Sequence, residues 1–229
     1  MNCELSLRLQ TCLDALQPLQ TIADIGTDHA YLPCAGVLKG QFKKAIAADV
    51  GIGPLEAAKT TISKYQLESM IEPRLGSGLT VLKPSEVEGV VIAGMGGKLI
   101  ASILEADVKL SQSFQRLVLQ PNLDANILRT FLMKNQFEII DEKIVYDEKK
   151  FYEVIVARWT REPIHYNELD IEFGPILRRL PSCDVFQEKW QKEFNKNEEI
   201  IKQLPINHHR IKTLNNRQSL LKEVLKNES

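Results

Sequence analysis

The 229-residue sequence has no long hydrophobic run: nowhere do about 18 apolar residues follow one another, the minimum for a membrane-crossing helix. Its opening, MNCELSLRLQTCLDALQPLQ, lacks a basic start leading into an apolar stretch, so no secretory signal is read there. Cysteine is scarce. Cys3, Cys12, Cys34 and Cys183 form no CxxC pair and show no His-rich ligand spacing, which argues against a zinc site and fits a reducing cytosol better than a disulfide framework. Net charge is almost absent, at −1, so overall basicity gives no sign of a nucleic-acid partner. No Walker loop, Gly-x-Ser-x-Gly elbow or catalytic-cysteine context occurs. What is present, 44% hydrophobic and 26% charged residues, is enough for a full core. The expectation is a cytoplasmic protein with one domain of ordinary size and an appendage.

Leu5, Leu9, Leu13 and Leu16 fall at helical spacing, so the chain opens with an amphipathic helix stopped near Pro18. Five short β-branched or alanine-rich runs follow, at Thr21–Gly26, Lys44–Val50, Ile71–Gly76, Gly89–Met95 and Gln115–Gln120, with helical stretches between them. That alternation predicts an α/β fold whose buried strands run parallel, with right-handed crossover helices on both faces. After Phe137 the pattern changes. Glu138–Val145 and Tyr152–Trp159 flank Tyr146–Lys150, a linker too short for a crossover helix, so they read as a hairpin adding antiparallel strands to the sheet. Such a sheet resembles that of class I S-adenosylmethionine (SAM) methyltransferases more than that of a dinucleotide dehydrogenase. Composition shifts again from Arg161, giving expected domains of 1–160 and 161–229. In the second, Trp190, Phe194, Asn197 and Ile201 lie on one helical stripe and Ile211, Leu214, Gln218, Leu221 and Leu225 on another, with a break at Pro205–Asn207. Two such helices suggest an antiparallel, coiled-coil-like arm. Between Lys202 and Lys226 six basic residues stand against Glu223 alone, so the arm is either a phosphate-contacting RNA clamp or a dimerising or solubilising hairpin.

The first strand runs into Gly26-Thr27-Asp28-His29, where open α/β sheets bind nucleotides on backbone N–H groups at the start of a helix. Of the three-glycine dinucleotide fingerprint only Gly26 is present, with His29 and Leu32 at the later positions. A pyrophosphate needs close backbone approach, so NAD is disfavoured, whereas SAM has no pyrophosphate and accepts a bulkier turn. Asp49 ends the second strand 25 positions after Asp24, where a carboxylate meets ribose hydroxyls, or else caps the next helix. Gly76-Ser77 is placed on the adenine side, Val50 after Asp49 is a further cofactor contact, and Ala93-Gly94-Met95 falls at the switch point of the sheet. Asn122 offers an amide to a base edge, or is an N-cap for Leu123–Met133. His29 has no partner at metal-ligand spacing, so no metal is expected.

Four segments carry a specific likeness: Leu5-Ser6-Leu7-Arg8-Leu9, Ala23–Pro33 (ADIGTDHAYLP), Val91–Gly97 (VIAGMGG) and Leu119-Gln120-Pro121-Asn122. In these, and over nearly the whole chain, the sequence resembles the bacterial tRNA (adenine(22)-N1)-methyltransferases. The resemblance implies a Rossmann-like SAM domain, a coiled-coil C-terminal domain, and methyl transfer to N1 of an adenine in the D-arm region of tRNA. It implies SAM contacts from Asp24, Gly26, Thr27, Asp28, His29, Asp49, Val50, Gly76, Ser77, Ala93, Gly94 and Met95. Asp28, Tyr31 and Asn122 are the candidates for the reacting base: a carboxylate for the cationic product, a stacking platform and an amide. Asp28 equally suits the SAM amino group. Ser77 departs from the acidic residue that many methyltransferases carry in this loop. The remaining alternatives are a methyltransferase of another RNA base, a protein or a small molecule, and a non-catalytic RNA-binding module. A monomer is favoured.

Overall fold

The computed structural model describes residues 3–180, 183–205 and 207–226. They divide into two compact units, Met1–His165 and Tyr166–Ser229. In the first unit the β-branched and alanine-rich runs become β1 (Thr21–Ile25), β2 (Lys44–Asp49), β3 (Ile71–Leu75), β4 (Gly89–Gly96) and β5 (Arg116–Leu123), all parallel. The hairpin strands β6 (Phe137–Asp147) and β7 (Lys150–Trp159) complete a seven-stranded sheet ordered β3-β2-β1-β4-β5-β7-β6. The order reverses between β1 and β4, which opens a crevice at the carboxyl ends of the strands.

The intervening segments form α1 (Leu7–Ala15), α2 (Tyr31–Leu38), α3 (Ile52–Lys64), α4 (Gly97–Glu105), α5 (Val108–Ser113) and α6 (Ala125–Lys134). Cys12, Leu13 and Leu16 of the first helical segment are fully buried with Ile22, Val91, Val118 and Val154, so the opening helix seals one face of the sheet. Ser6 caps it, its hydroxyl accepting from the Leu9 amide. The Asp147 carboxylate accepts from the Arg8 amide at 2.9 Å, placing negative charge at the helix N-terminus and joining it to the hairpin.

Three expectations need correction. Strand β5 does not end at Gln120 but continues through Pro121 and Asn122, because an irregular register against β4 around Met95 accommodates the proline. The helix thought to begin at Leu123 therefore begins at Ala125 with Asp124 at its N-cap, so Asn122 is not a cap. The hairpin linker shrinks to Glu148-Lys149, both at positive φ (46° and 63°), as a tight hairpin turn demands, although neither residue is the glycine or asparagine that normally signals one.

The second unit holds α7 (Glu168–Phe173), α8 (Asp184–Gln203) and α9 (Ile211–Lys226). Phe173 packs edge-on against Trp190, with centroids 4.8 Å apart. Arg217 lies over both rings and donates to Glu172 at 2.6 Å. Asn197 is buried between α8 and α9 and donates to the Leu214 carbonyl and to Gln218 Oε1, so the two polar residues of the stripes meet and set the register of the pair. Among the described residues no helix is long and apolar enough to cross a membrane.

Candidate active site

At the crevice lies a cleft of about 630 Å³, lined wholly from the first unit. Its floor is the turn after β1. Gly26 (φ +78°), Asp28 (φ +48°) and Ala30 (φ +54°) are all left-handed; glycine adopts this freely, whereas Asp28 and Ala30 hold it only where the surroundings enforce it. A side chain at Gly26 would meet Met95 Cε at 2.0 Å as well as opposing the backbone. The Gly26 and Thr27 amides are drawn onto the Ala48 carbonyl at 2.8 and 3.0 Å, which fixes the turn beside the end of β2.

Two carboxylates face this floor. Asp24 is buried, and burial pushes its carboxyl up to about 6, opposed by the Thr27 hydroxyl that donates to it at 2.7 Å and reinforced by the charge of Asp49. Asp49 Oδ1 accepts from the Gly51 amide at 2.7 Å, and the residue lines the cleft. It does not cap the next helix: Gly51 holds the N-cap of α3 with no side-chain bond. In the same turn Asp28 is exposed, and His29 stacks on Tyr31 with centroids 5.1 Å apart. Among the described residues no His, Cys, Asp and Glu cluster suits a metal.

Asn122 is held by a chain of amides. Gln120, fully buried, accepts at Oε1 from Arg8 Nη1 (2.7 Å) and from the Gly94 amide (3.0 Å). Its Nε2 donates to Asn122 Oδ1 at 3.1 Å, and Asn122 Nδ2 donates to the Gly94 carbonyl at 2.7 Å.

Asp24, Gly26, Thr27, Asp28, His29, Tyr31, Asp49, Ala93, Gly94, Met95 and Asn122 thus come together in one cleft. Val50, Gly76 and Ser77 do not line it. Val50 is an exposed residue beyond Asp49, the Gly76 amide donates to the Asp49 carbonyl, and Ser77 borders a separate hollow with Leu99 and Ile103. Glu4, Ser6, Arg8, Glu148 and Tyr152 line the cleft unforeseen. Only the Leu5–Leu9 signature hinted at any of them.

The residues suit SAM: a floor with a single glycine cradles no pyrophosphate, while two carboxylates match an ammonium and ribose hydroxyls. A family model described as tRNA (adenine(22)-N(1))-methyltransferase matches residues 22–228. The tRNA (adenine(22)-N(1))-methyltransferase of Bacillus subtilis is 39% identical, the match covering 97% of each chain. The crystal structure of the B. subtilis m1A22 tRNA methyltransferase TrmK superposes with a TM-score of 0.88 at 37% identity, covering 98% of this chain and 100% of that one. That of Mycoplasma capricolum TrmK in complex with S-adenosyl-homocysteine gives 0.87 at 27% identity, covering 96% and 97%. The sheet, the cleft and these near-full-length matches lead to one assignment: this chain belongs to the tRNA (adenine(22)-N(1))-methyltransferase family and is a SAM-dependent enzyme that methylates N1 of that adenine.

Proposed function

We propose that methyl transfer takes place in the cleft between the Gly26–Ala30 turn and Asn122. The observation that carries this reading is the convergence there of Asp24 and Asp49 with the Arg8–Gln120–Asn122–Gly94 network. Asp24 holds the amino group of SAM and Asp49 a ribose hydroxyl. When bound, SAM supplies a methyl on a sulfonium whose sulfur leaves as a neutral thioether.

The adenine N1 lone pair is already a nucleophile, so no base has to create it, and the protein's work is positioning. The His29–Tyr31 ring pair gives the base a stacking platform. Both bonds of the Asn122 amide to the protein leave the second lone pair of Oδ1 for the N6 amino group. As the N1–C bond forms, positive charge passes from sulfur to the adenine ring, and an acceptor at N6 together with the nearby Asp28 carboxylate stabilises it.

Asp28→Asn and Asn122→Ala separate these roles. Both are expected to cut the single-turnover rate at saturating SAM about 10-fold or more while leaving the SAM dissociation constant within about 2-fold. If Asp28→Asn instead weakens SAM and spares the rate, Asp28 belongs to the cofactor.

The second unit supplies phosphate contacts. Arg217 is used internally, against Glu172, Phe173 and Trp190, whereas Arg210, Lys212, Lys222 and Lys226 are exposed. Exchanging these four for glutamine is expected to weaken tRNA binding and flatten its dependence on salt, with SAM binding intact. Equal salt slopes for the two proteins would remove the arm from RNA recognition. The burial of Phe186, Trp190, Leu221 and Val224 supports a monomer.

A further inference from the structure

From the chain of amides behind Asn122 we infer that Arg8 is a positioning residue for methyl transfer: it is the charged donor that, with Gly94, holds the Asn122 amide with Oδ1 toward the adenine. The inference rests on the reading of the cleft given above. An amide side chain can be turned end for end at little cost unless its partners are donors only or acceptors only. Arg8 and the Gly94 N–H are donors only, and both point at one atom of Gln120. That atom must be oxygen, so Gln120 has to present its NH₂ group to Asn122. Asn122 then has to answer with Oδ1, and its own NH₂ falls on the Gly94 carbonyl, an acceptor only. Each bond fixes the next, and Arg8 is the charged end of the series.

The placement of Arg8 is itself secured from three elements. Its backbone amide donates to Asp147 at the end of β6, its guanidinium lies 5.3 Å from the centre of the Tyr152 ring on β7, and its Nη1 reaches Gln120 on β5. Gln120 is fully buried, so its Oε1 relies on donors from the protein, and the guanidinium is the charged one of the two. Without that donor the orientation of both amides rests on the two Gly94 bonds alone, and the series loses its one charged anchor, so the Asn122 amide is held less firmly with Oδ1 toward the adenine. Whenever the loosened amide turns, two donors face each other where an acceptor is needed.

Single-turnover rates with saturating SAM and unmodified tRNA test this, with SAM affinity by calorimetry as the check that the site is folded. Arg8→Met keeps the apolar stem and loses the donor; Gln120→Glu keeps both acceptor bonds and loses the donation to Asn122. Each is expected to slow transfer about 10- to 100-fold with the SAM dissociation constant within about 2-fold. In an Asn122→Ala background, adding Arg8→Met is expected to cost less than about 3-fold, since the relay has nothing left to orient. A Gln120→Glu enzyme at the wild-type rate, a loss confined to SAM or tRNA affinity, or full multiplication of the Arg8 and Asn122 effects overturns the relay. An Asn122→Ala enzyme at the wild-type rate overturns the reading of the cleft and the relay with it. A slow Asn122→Ala enzyme beside an unimpaired Arg8→Met overturns the relay alone.

Discussion

Asp24→Asn is expected to weaken SAM binding about 10- to 100-fold at pH 8, as the loss of a charged hydrogen-bonded contact in a buried site should, and at the same time to raise the melting temperature of the ligand-free protein. The two effects share one cause. Burial lifts the Asp24 carboxyl from its ordinary 3.8 to about 6. Below about pH 4 both the folded and the unfolded chain carry the proton, and Asp24 is neutral to stability. Between about 4 and 6 the unfolded chain releases it and the folded one keeps it. Above about 6 both are ionised, and the fold bears the whole burial cost, up to about 3 kcal/mol. Stability therefore falls as pH rises through this window, and the asparagine variant escapes the fall. Its advantage in ligand-free melting should be largest at pH 8 and vanish near pH 4. SAM binding runs the other way: the wild type should lose affinity as Asp24 takes up a proton below about pH 6, and the variant should show no such step. A variant that binds SAM normally at pH 8 would mean that Asp24 does not meet the amino group.

Arg129→Met is expected to destabilise the protein by about 3–5 kcal/mol, measured by denaturant unfolding of the ligand-free chain. Arg129, on α6, and its partners Glu142 on β6 and Glu153 on β7 are all buried. Arg129 donates to Glu142 at 2.9 Å through Nε and to Glu153 through Nη2. Burial opposes the charge on Arg129, but Glu153 and Glu142 outweigh it, so the guanidinium is held more firmly protonated than usual. Removing it leaves two acidic groups in a dry site. Adding Glu142→Gln and Glu153→Gln should therefore recover part of the loss. If the triple variant is no more stable than Arg129→Met, lost packing rather than stranded charge is responsible. The triad ties the hairpin to α6, and the same hairpin carries Glu148 and Tyr152 to the cleft, so a loosened triad should also slow methyl transfer.

The local parts of this architecture were legible in the sequence. Five short apolar runs with helices between them predict a parallel sheet, and the Gly26 turn and Asp49 are expected together at its carboxyl edge, where both line the cleft, because strand period and turn chemistry are set by neighbouring residues. What the sequence concealed depends on long-range closure. Arg8 stands on the polar face of an amphipathic helix and looks like a solvated charge until β5 brings Gln120 to it, 112 residues later. Pro121 signals the end of a strand, yet β5 runs past it because β4 shifts register beside it. Glu148 and Tyr152 reach the cleft only because the hairpin turn is tighter than its residues suggest. Arg217 counts as a basic surface residue by composition but is used between Phe173, Trp190 and Glu172.

The central claim is methylation at N1 of adenine 22 within the cleft that holds Asp24, Asp49 and Asn122. Its most direct test is incubation of the purified protein with SAM and unmodified tRNA, followed by nucleoside analysis and mapping of the modified position by reverse-transcriptase arrest. The expected result is N1-methyladenosine at position 22, none in a tRNA carrying guanine there, and a sharply reduced yield with Asn122→Ala. Absence of N1-methyladenosine, its appearance at another position, or an undiminished yield from the Asn122 variant would contradict it.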